Sequence, residues 1–132
     1  MEHFNIRATR NTPSVSYDPR INVFRLIGNS IPENASEFYT PVIEWLKRES
    51  RALPDGATFE FCLPYFNSSS LKALYLLLVE LKKAMDAGKR FEAIWHVEEG
   101  DDFMSEAAET FTELAEIQFS MRAGLLPVPK AD

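Results

Sequence analysis

An asparagine and three serines, Asn67-Ser68-Ser69-Ser70, separate Leu63-Pro64-Tyr65-Phe66 from the apolar run that starts at Leu71. The hydroxyls can accept a transferred group, and their position selects phosphate. The first N–H groups of a helix lack intrahelical acceptors. Together with the helix dipole they favour negative charge, so a phosphate is accommodated at such a junction. A serine here can therefore serve as a phosphorylation switch. Asn and Ser are also preferred helix N-caps, so the same residues can act purely as a cap. The local sequence admits both roles.

Other reactive side chains are sparse. The chain has two histidines, His3 and His96, and one cysteine, Cys62. His3 stands near the N-terminus, so a metal triad is not expected. Cys62 and His96 could form a nucleophile pair. However, Cys62 falls within an apolar strand, where it is expected to face the core or pack under a helix as a small hydrophobe. No phosphate-binding glycine loop, nucleophile elbow or zinc-type spacing is present. No cofactor is expected, and binding is favoured over catalysis.

Positioning the serines requires a strand before them and a helix after them. Residues 14–17 alternate as a strand, Asp18-Pro19-Arg20 makes a turn, and 21–27 return as the second strand of a hairpin. Gly28 to Glu33 form a loop. Asn34 then caps a helix to about Ser50, with Glu37 at its third position. Phe38, Val42, Trp45 and Leu46 follow helical spacing. Pro41 implies either a kink or a start near Thr40. Residues 58–63 form a buried strand. The helix after the serines carries Leu71, Leu74, Leu78, Leu81 and Met85, with Leu76, Leu77 and Val79 widening the apolar surface, so it is expected to be well buried. Gly88 ends it. Residues 91–97 read as a strand. A third helix starts after Gly100, with Asp101 and Asp102 in its first turn, where the dipole favours them, and with Met104, Ala108, Phe111 and Ala115 as its stripe and Leu114 beside it. Residues 117–119 suggest a short edge strand.

Alternating helices and strands imply right-handed crossovers. The expected fold is α/β: a mostly parallel sheet of four to five strands, an N-terminal hairpin and three main helices. The chain reads as one domain over 1–132, with its core at about 12–120 and a loose tail at 121–132.

The composition suits a cytoplasmic globular protein. Hydrophobic residues make up 45% of the 132 positions, enough for a core. Net charge is −6, which disfavours nucleic acid and suits a partner with a basic patch. A lone cysteine fits a reducing compartment. No apolar run reaches the ~20 residues of a membrane span, and no secretory signal is seen. Between Glu92 and Glu116 there is no Lys or Arg. Glu98, Glu99, Asp101, Asp102, Glu106, Glu109, Glu113 and Glu116 form either a solvated face or a dock for a basic surface.

Three segments together carry a resemblance. Asn67-Ser68-Ser69-Ser70-Leu71-Lys72-Ala73 resembles the phosphoacceptor turn of the SiaC family. Gly28-Asn29-Ser30-Ile31-Pro32-Glu33-Asn34, followed by Phe38, Pro41, Val42, Ile43 and Trp45, resembles its G-x-S-x-P-E-N turn and the helix after it. Ile94-Trp95-His96-Val97 resembles its late strand. The resemblance spans about 12–119. It implies an STAS-like fold, similar to anti-sigma-factor antagonists, whose equivalent turn usually reads Asp-Ser-Ser; here Asn67 replaces the acid. It also implies a partner-switching regulator of biofilm formation through cyclic di-GMP. Ser68 matches the phosphoacceptor, a threonine in the best-known members. Asn67, Ser69, Ser70, Lys72, Glu33 and Asn34 would contribute to the partner surface, with Ser69 and Ser70 capping or packing. The implied partners are a serine/threonine kinase, a PP2C-type phosphatase and a diguanylate cyclase activated by the unphosphorylated form. An anti-sigma factor with kinase activity is the alternative partner, and a small enzyme using Cys62 or His96 is the alternative class.

Overall fold

The structure, a computed structural model, describes residues 3–129. One six-stranded sheet runs in sequence order: β1 (Phe4–Ile6), β2 (Ser14–Asp18), β3 (Val23–Ile27), β4 (Thr58–Cys62), β5 (Glu92–Val97) and β6 (Phe119–Ala123). Between the last four strands lie α1 (Ala35–Glu49), α2 (Ser68–Asp86) and α3 (Asp102–Ala115). The pairs β1–β2 and β2–β3 are antiparallel, and the other three are parallel. The expected class is correct, and the hairpin lies where its alternation placed it.

The strand count is corrected from four or five to six: β1 escapes the pattern, and the edge strand suggested at 117–119 is present but shifted and longer. Phe4-Asn5-Ile6 is too short to show a period, yet it pairs with β2, and Phe4 stacks on Trp45 with ring centroids 5.0 Å apart. β6 starts at Phe119 rather than 117 and continues through Arg122 and Ala123, into the expected loose tail. Only Phe119 is buried in this strand, so no alternation marks it. Residues 130–132 of the expected tail lie outside the described residues.

Each parallel crossover steps to the same side, and right-handed crossovers then put all three helices on one face of the sheet. Burial follows that geometry. Val15, Tyr17, Phe24, Leu26, Phe59, Phe61 and Trp95 project from alternate strand positions into one core with Val42, Leu46, Leu74, Leu78 and Phe111. Trp95 stacks on Phe61 and on Phe111, each at 5.7 Å. Each fully buried large apolar side chain contributes about 1.5–3 kcal/mol.

Helix boundaries follow local chemistry. The Glu37 N–H donates to Asn34 Oδ1 at 3.0 Å, which starts α1 at Ala35 and not near Thr40. Pro41 is tolerated inside the helix because it and Glu37, whose carbonyl it leaves unpaired, both lie on the exposed side. The α2 stripe is rotated from the expected one. Ser70, Ala73, Leu74, Leu77, Leu78, Leu81 and Ala84 are buried, whereas Leu71 and Leu76 are about 40% exposed, at 40% and 41%. This helix is thus buried along one face only. Gly88, at φ +105°, closes it: its N–H donates to Met85 O, and the Lys89 N–H donates to Ala84 O. The α3 stripe of Met104, Ala108, Phe111 and Ala115 is buried as expected, and Asp101 Oδ1 caps the Met104 N–H at 3.0 Å.

The helix-free face carries a polar row. Arg25 Nε donates to Glu60 Oε2 at 2.7 Å, and His96 Nε2 lies 3.0 Å from Glu60 Oε1. Cys62 is on this face, not under a helix, since its neighbour Phe61 points into the core. It is buried by the C-terminal segment, whose Leu126 N–H donates to Cys62 Sγ at 3.3 Å.

Candidate functional site

The loop after β3 and the turn after β4 meet at the C-terminal ends of the parallel strands, where open α/β sheets place their sites. Ser30 joins them. Its N–H donates to Tyr65 O and its carbonyl accepts from the Asn67 N–H, both at 2.9 Å, extending the parallel pairing one step beyond β3 and β4. Gly28 begins this loop at φ +131°. A Cβ there would lie 3.1 Å from Pro13 Cα, so both conformation and space require glycine.

A buried chain of hydroxyls locks the two turns. Ser30 Oγ lies 2.6 Å from Tyr39 OH and 2.8 Å from Ser70 Oγ. Ser70 Oγ also lies 2.9 Å from Asn67 Oδ1 and 3.0 Å from Ser30 O. Burial pushes the Tyr39 phenol well above its ordinary range, and the hydrogen bond with Ser30 opposes this only in part. Asn67 is the N-cap of α2, its Oδ1 accepting from the Ser70 N–H at 3.1 Å and from Ser69 Oγ at 2.9 Å. Its Nδ2 donates to Pro32 O at 3.4 Å.

The three serines therefore stand in different environments. Ser70 is fully buried within the network. Ser69 is exposed, with its hydroxyl on Asn67. Ser68 is the first residue of α2, is exposed, and its hydroxyl meets no hydrogen-bond partner among the described residues. Lys72, one turn further on, is exposed and enters no ion pair among the described residues. It lines a small cleft between α1 and α2 with Ser36, Tyr39, Ser69 and Leu76. Glu33 and Asn34 are joined to this turn through Pro32, but they line a different groove, with Phe38 and Pro41. Asn34 is occupied as the cap of α1.

Sequence reasoning missed the groove on the other side of Ser68. Tyr65, Phe66, Asn67, Ser68 and Leu71 face Phe103, Glu106, Ala107 and Thr110 of α3 across a cleft of about 610 Å³. The signal was available in part: Phe103 is a large apolar residue outside the expected stripe of α3, whereas Leu71 lies on the expected stripe of α2 and only the structure exposes it.

Cys62 and His96 have separate partners. His96 pairs with Glu60 and Cys62 with the Leu126 amide, and burial raises the Cys62 thiol above its ordinary pKa, which disfavours the thiolate. Among the described residues no group of three or more His, Cys, Asp or Glu is placed to hold a metal ion, and no helix is long and apolar enough to cross a membrane.

The comparisons with known proteins agree with this geometry. The profile of the SiaC family of regulatory phosphoproteins matches residues 6–124. An uncharacterized protein of Pseudomonas aeruginosa (strain UCBPP-PA14) is 31% identical over 126 residues, covering 93% of this chain and 98% of its own length. SiaC of Pseudomonas aeruginosa superposes with a TM-score of 0.81 at 29% identity, covering 94% of this chain and 100% of that one. The SiaC chain in a crystal structure of the diguanylate cyclase SiaD with its activator SiaC, from the same species, superposes with a TM-score of 0.80 at 28% identity, covering 92% and 99%. Over nearly its whole length, then, this chain belongs to the SiaC family of regulatory phosphoproteins.

Proposed function

We propose that the chain is a cytoplasmic partner-switching regulator whose unphosphorylated form binds and activates a diguanylate cyclase, raising cyclic di-GMP and promoting biofilm formation. A serine/threonine kinase phosphorylates Ser68 and a PP2C-type phosphatase reverses it. The whole chain acts as one regulatory domain. The observation that carries this reading is the free, exposed Ser68 hydroxyl at the start of α2, in a chain that resembles an activator solved on its cyclase.

The physics of the switch is local. A phosphate adds about −1.5 to −2 charges. At the N-terminus of α2 the dipole offsets its cost by about 0.3–1 kcal/mol, so the fold survives. A partner packed on the turn cannot bury that charge without a cation opposite. A loss of about 2.8 kcal/mol then weakens binding roughly a hundredfold. Asn67, Ser69 and Lys72 frame the contact, while Ser70, with Glu33 and Asn34 on the adjoining loop, holds the surface in shape.

The test combines peptide mass spectrometry, after incubation with ATP and kinase, with a cyclase assay. Phosphate is expected on Ser68 and absent from Ser68→Ala, which still activates the cyclase; Ser68→Glu does not. Phosphate at another residue, or an active Ser68→Glu protein that remains folded, overturns the reading.

A further inference from the structure

We infer that the outer edge of β6 is a docking site for an extended, lysine- or arginine-bearing segment of a partner protein, which adds to the sheet as a further strand. The site lies on the side of α3 away from Ser68: Glu109 and Glu113 face it, whereas Glu106 and Thr110 face the serine turn. The inference therefore does not rest on the cyclase reading.

The backbone comes first. β6 stands at one end of the strand order and pairs with β5 in unbroken register, from Ala93↔Phe119 to Val97↔Ala123. Just past the strand, the Gly124 N–H donates inward to Val97 O at 2.8 Å. Orientation alternates along a strand, so Ser120 and Arg122 also turn their N–H groups towards β5. Phe119, Met121 and Ala123 turn theirs outward, where no described residue accepts them. Such a row of open donors and acceptors is a template for strand addition. Edges that are protected from this use very short strands, proline, lysine or bulges. The opposite edge, β1, is only three residues long. β6 has five residues, no bulge, and neither proline nor lysine. Its one charge, Arg122, is in register with His96 and so lies on the helix-free face.

The side chains select the occupant. Met121 is in register with the fully buried Trp95, which places it on the helix side of the sheet, yet it is 49% exposed. Beside it, Phe119, Thr112, Glu109 and Glu113 line a cleft of about 260 Å³. Both glutamates are exposed, and neither enters an ion pair among the described residues. A strand laid along β6 directs every second side chain to this side. A lysine or arginine there packs its aliphatic stem on Met121 and carries its charge to Glu109 or Glu113. An acidic side chain at the same place meets like charge. A second copy of this chain is a poor occupant for that reason. An antiparallel β6–β6 pair sets both α3 helices on the same side of one continuous sheet, acid beside acid, in two chains of net charge −6.

The experiment titrates the full chain, labelled for amide NMR, with a capped peptide of alternating valine and lysine. The same peptide with glutamate for lysine is the control. The lysine peptide is expected to slow hydrogen exchange at the Phe119, Met121 and Ala123 amides and to bind about tenfold more tightly than the glutamate peptide. Glu109→Lys combined with Glu113→Lys should reverse that order. Met121→Pro deletes an outward N–H while sparing the bonds to β5, as proline on an edge strand does, and should abolish binding. A lysine peptide with N-methylated backbone tests the same bonds without altering the protein, so a Met121→Pro chain that fails to fold leaves the test intact. Equal affinity for the two peptides, undiminished binding of the N-methylated peptide, or binding that leaves the Met121 amide exchange unchanged overturns the proposal. No binding at millimolar lysine peptide does the same. A dimer of this chain that Met121→Pro dissociates assigns the edge to a second copy and also overturns it.

Discussion

Ser70 has no exposed surface, and its hydroxyl lies within 3.0 Å of Ser30 Oγ, Ser30 O and Asn67 Oδ1. Two residues earlier, the Ser68 hydroxyl meets none of these groups. The helical turn separates them: Ser70 falls on the buried face of α2 and Ser68 on the groove side. Removing the Ser70 hydroxyl strips a partner from a buried network, which costs about 1–3 kcal/mol. Ser70→Ala is therefore expected to lower stability by that amount in chemical denaturation. Ser68→Ala and Ser69→Ala are expected to stay within about 0.5 kcal/mol of wild type. Equal losses for all three would show that the network does not hold the turn.

Among the elements, α2 best shows how sequence pattern and tertiary packing diverge. Its apolar positions exceed one stripe, and a stripe through Leu74, Leu78 and Leu81 can be widened towards Leu71 and Met85 or towards Leu77 and Ala84. The structure chooses the second, because the Asn67 cap and the Ser30–Ser70 contact fix the rotation of the first turn. Leu74→Ala then leaves a cavity and is expected to cost about 2–5 kcal/mol. Leu71→Ala, at a partly exposed position, is expected to cost less than about 1 kcal/mol while impairing partner binding. Thermal melts of the two variants, beside cyclase titrations, separate these effects. A larger stability loss for Leu71→Ala would contradict the observed rotation.

At the scale of the whole molecule, the sheet separates an apolar face under three helices from a face with paired charges. Burial alone would raise the Glu60 carboxyl, but hydrogen bonds from Arg25 and His96 outweigh it and hold its pKa below the ordinary 4.5. A carboxylate depressed in the folded state adds stability that is complete above its unfolded pKa and is lost as pH falls through the folded value. Melting temperature is therefore expected to drop below about pH 4.5, with a shallower drop in Glu60→Gln. Tyr39 and Cys62 act in the opposite sense. Burial raises both above their ordinary values of 10.0 and 9.0, so their contribution is complete below those values and fades as pH rises beyond them. Tyr39→Phe is expected to flatten the loss above pH 10; an unchanged alkaline limb would exclude the phenol as its source.

Local chemistry by itself determined the fold class and the serine turn that opens α2. Hairpin alternation, the Asn34 and Asn67 caps, the α3 stripe and the Asn-Ser-Ser-Ser junction need only neighbours in sequence, so each was legible there. The edge strand β1 was not, and β6 only at its first residue, because three paired residues or one buried side chain leave no period to read. The face occupied by Cys62 was hidden for a similar reason: its burial comes from Leu126, 64 residues away. Only the tertiary structure decided that the Ser30 loop latches the serine turn, and that Tyr65, Leu71 and Phe103 line one groove. The latch joins segments 35 to 40 residues apart, and no local propensity encodes which exposed side chains will meet across two helices.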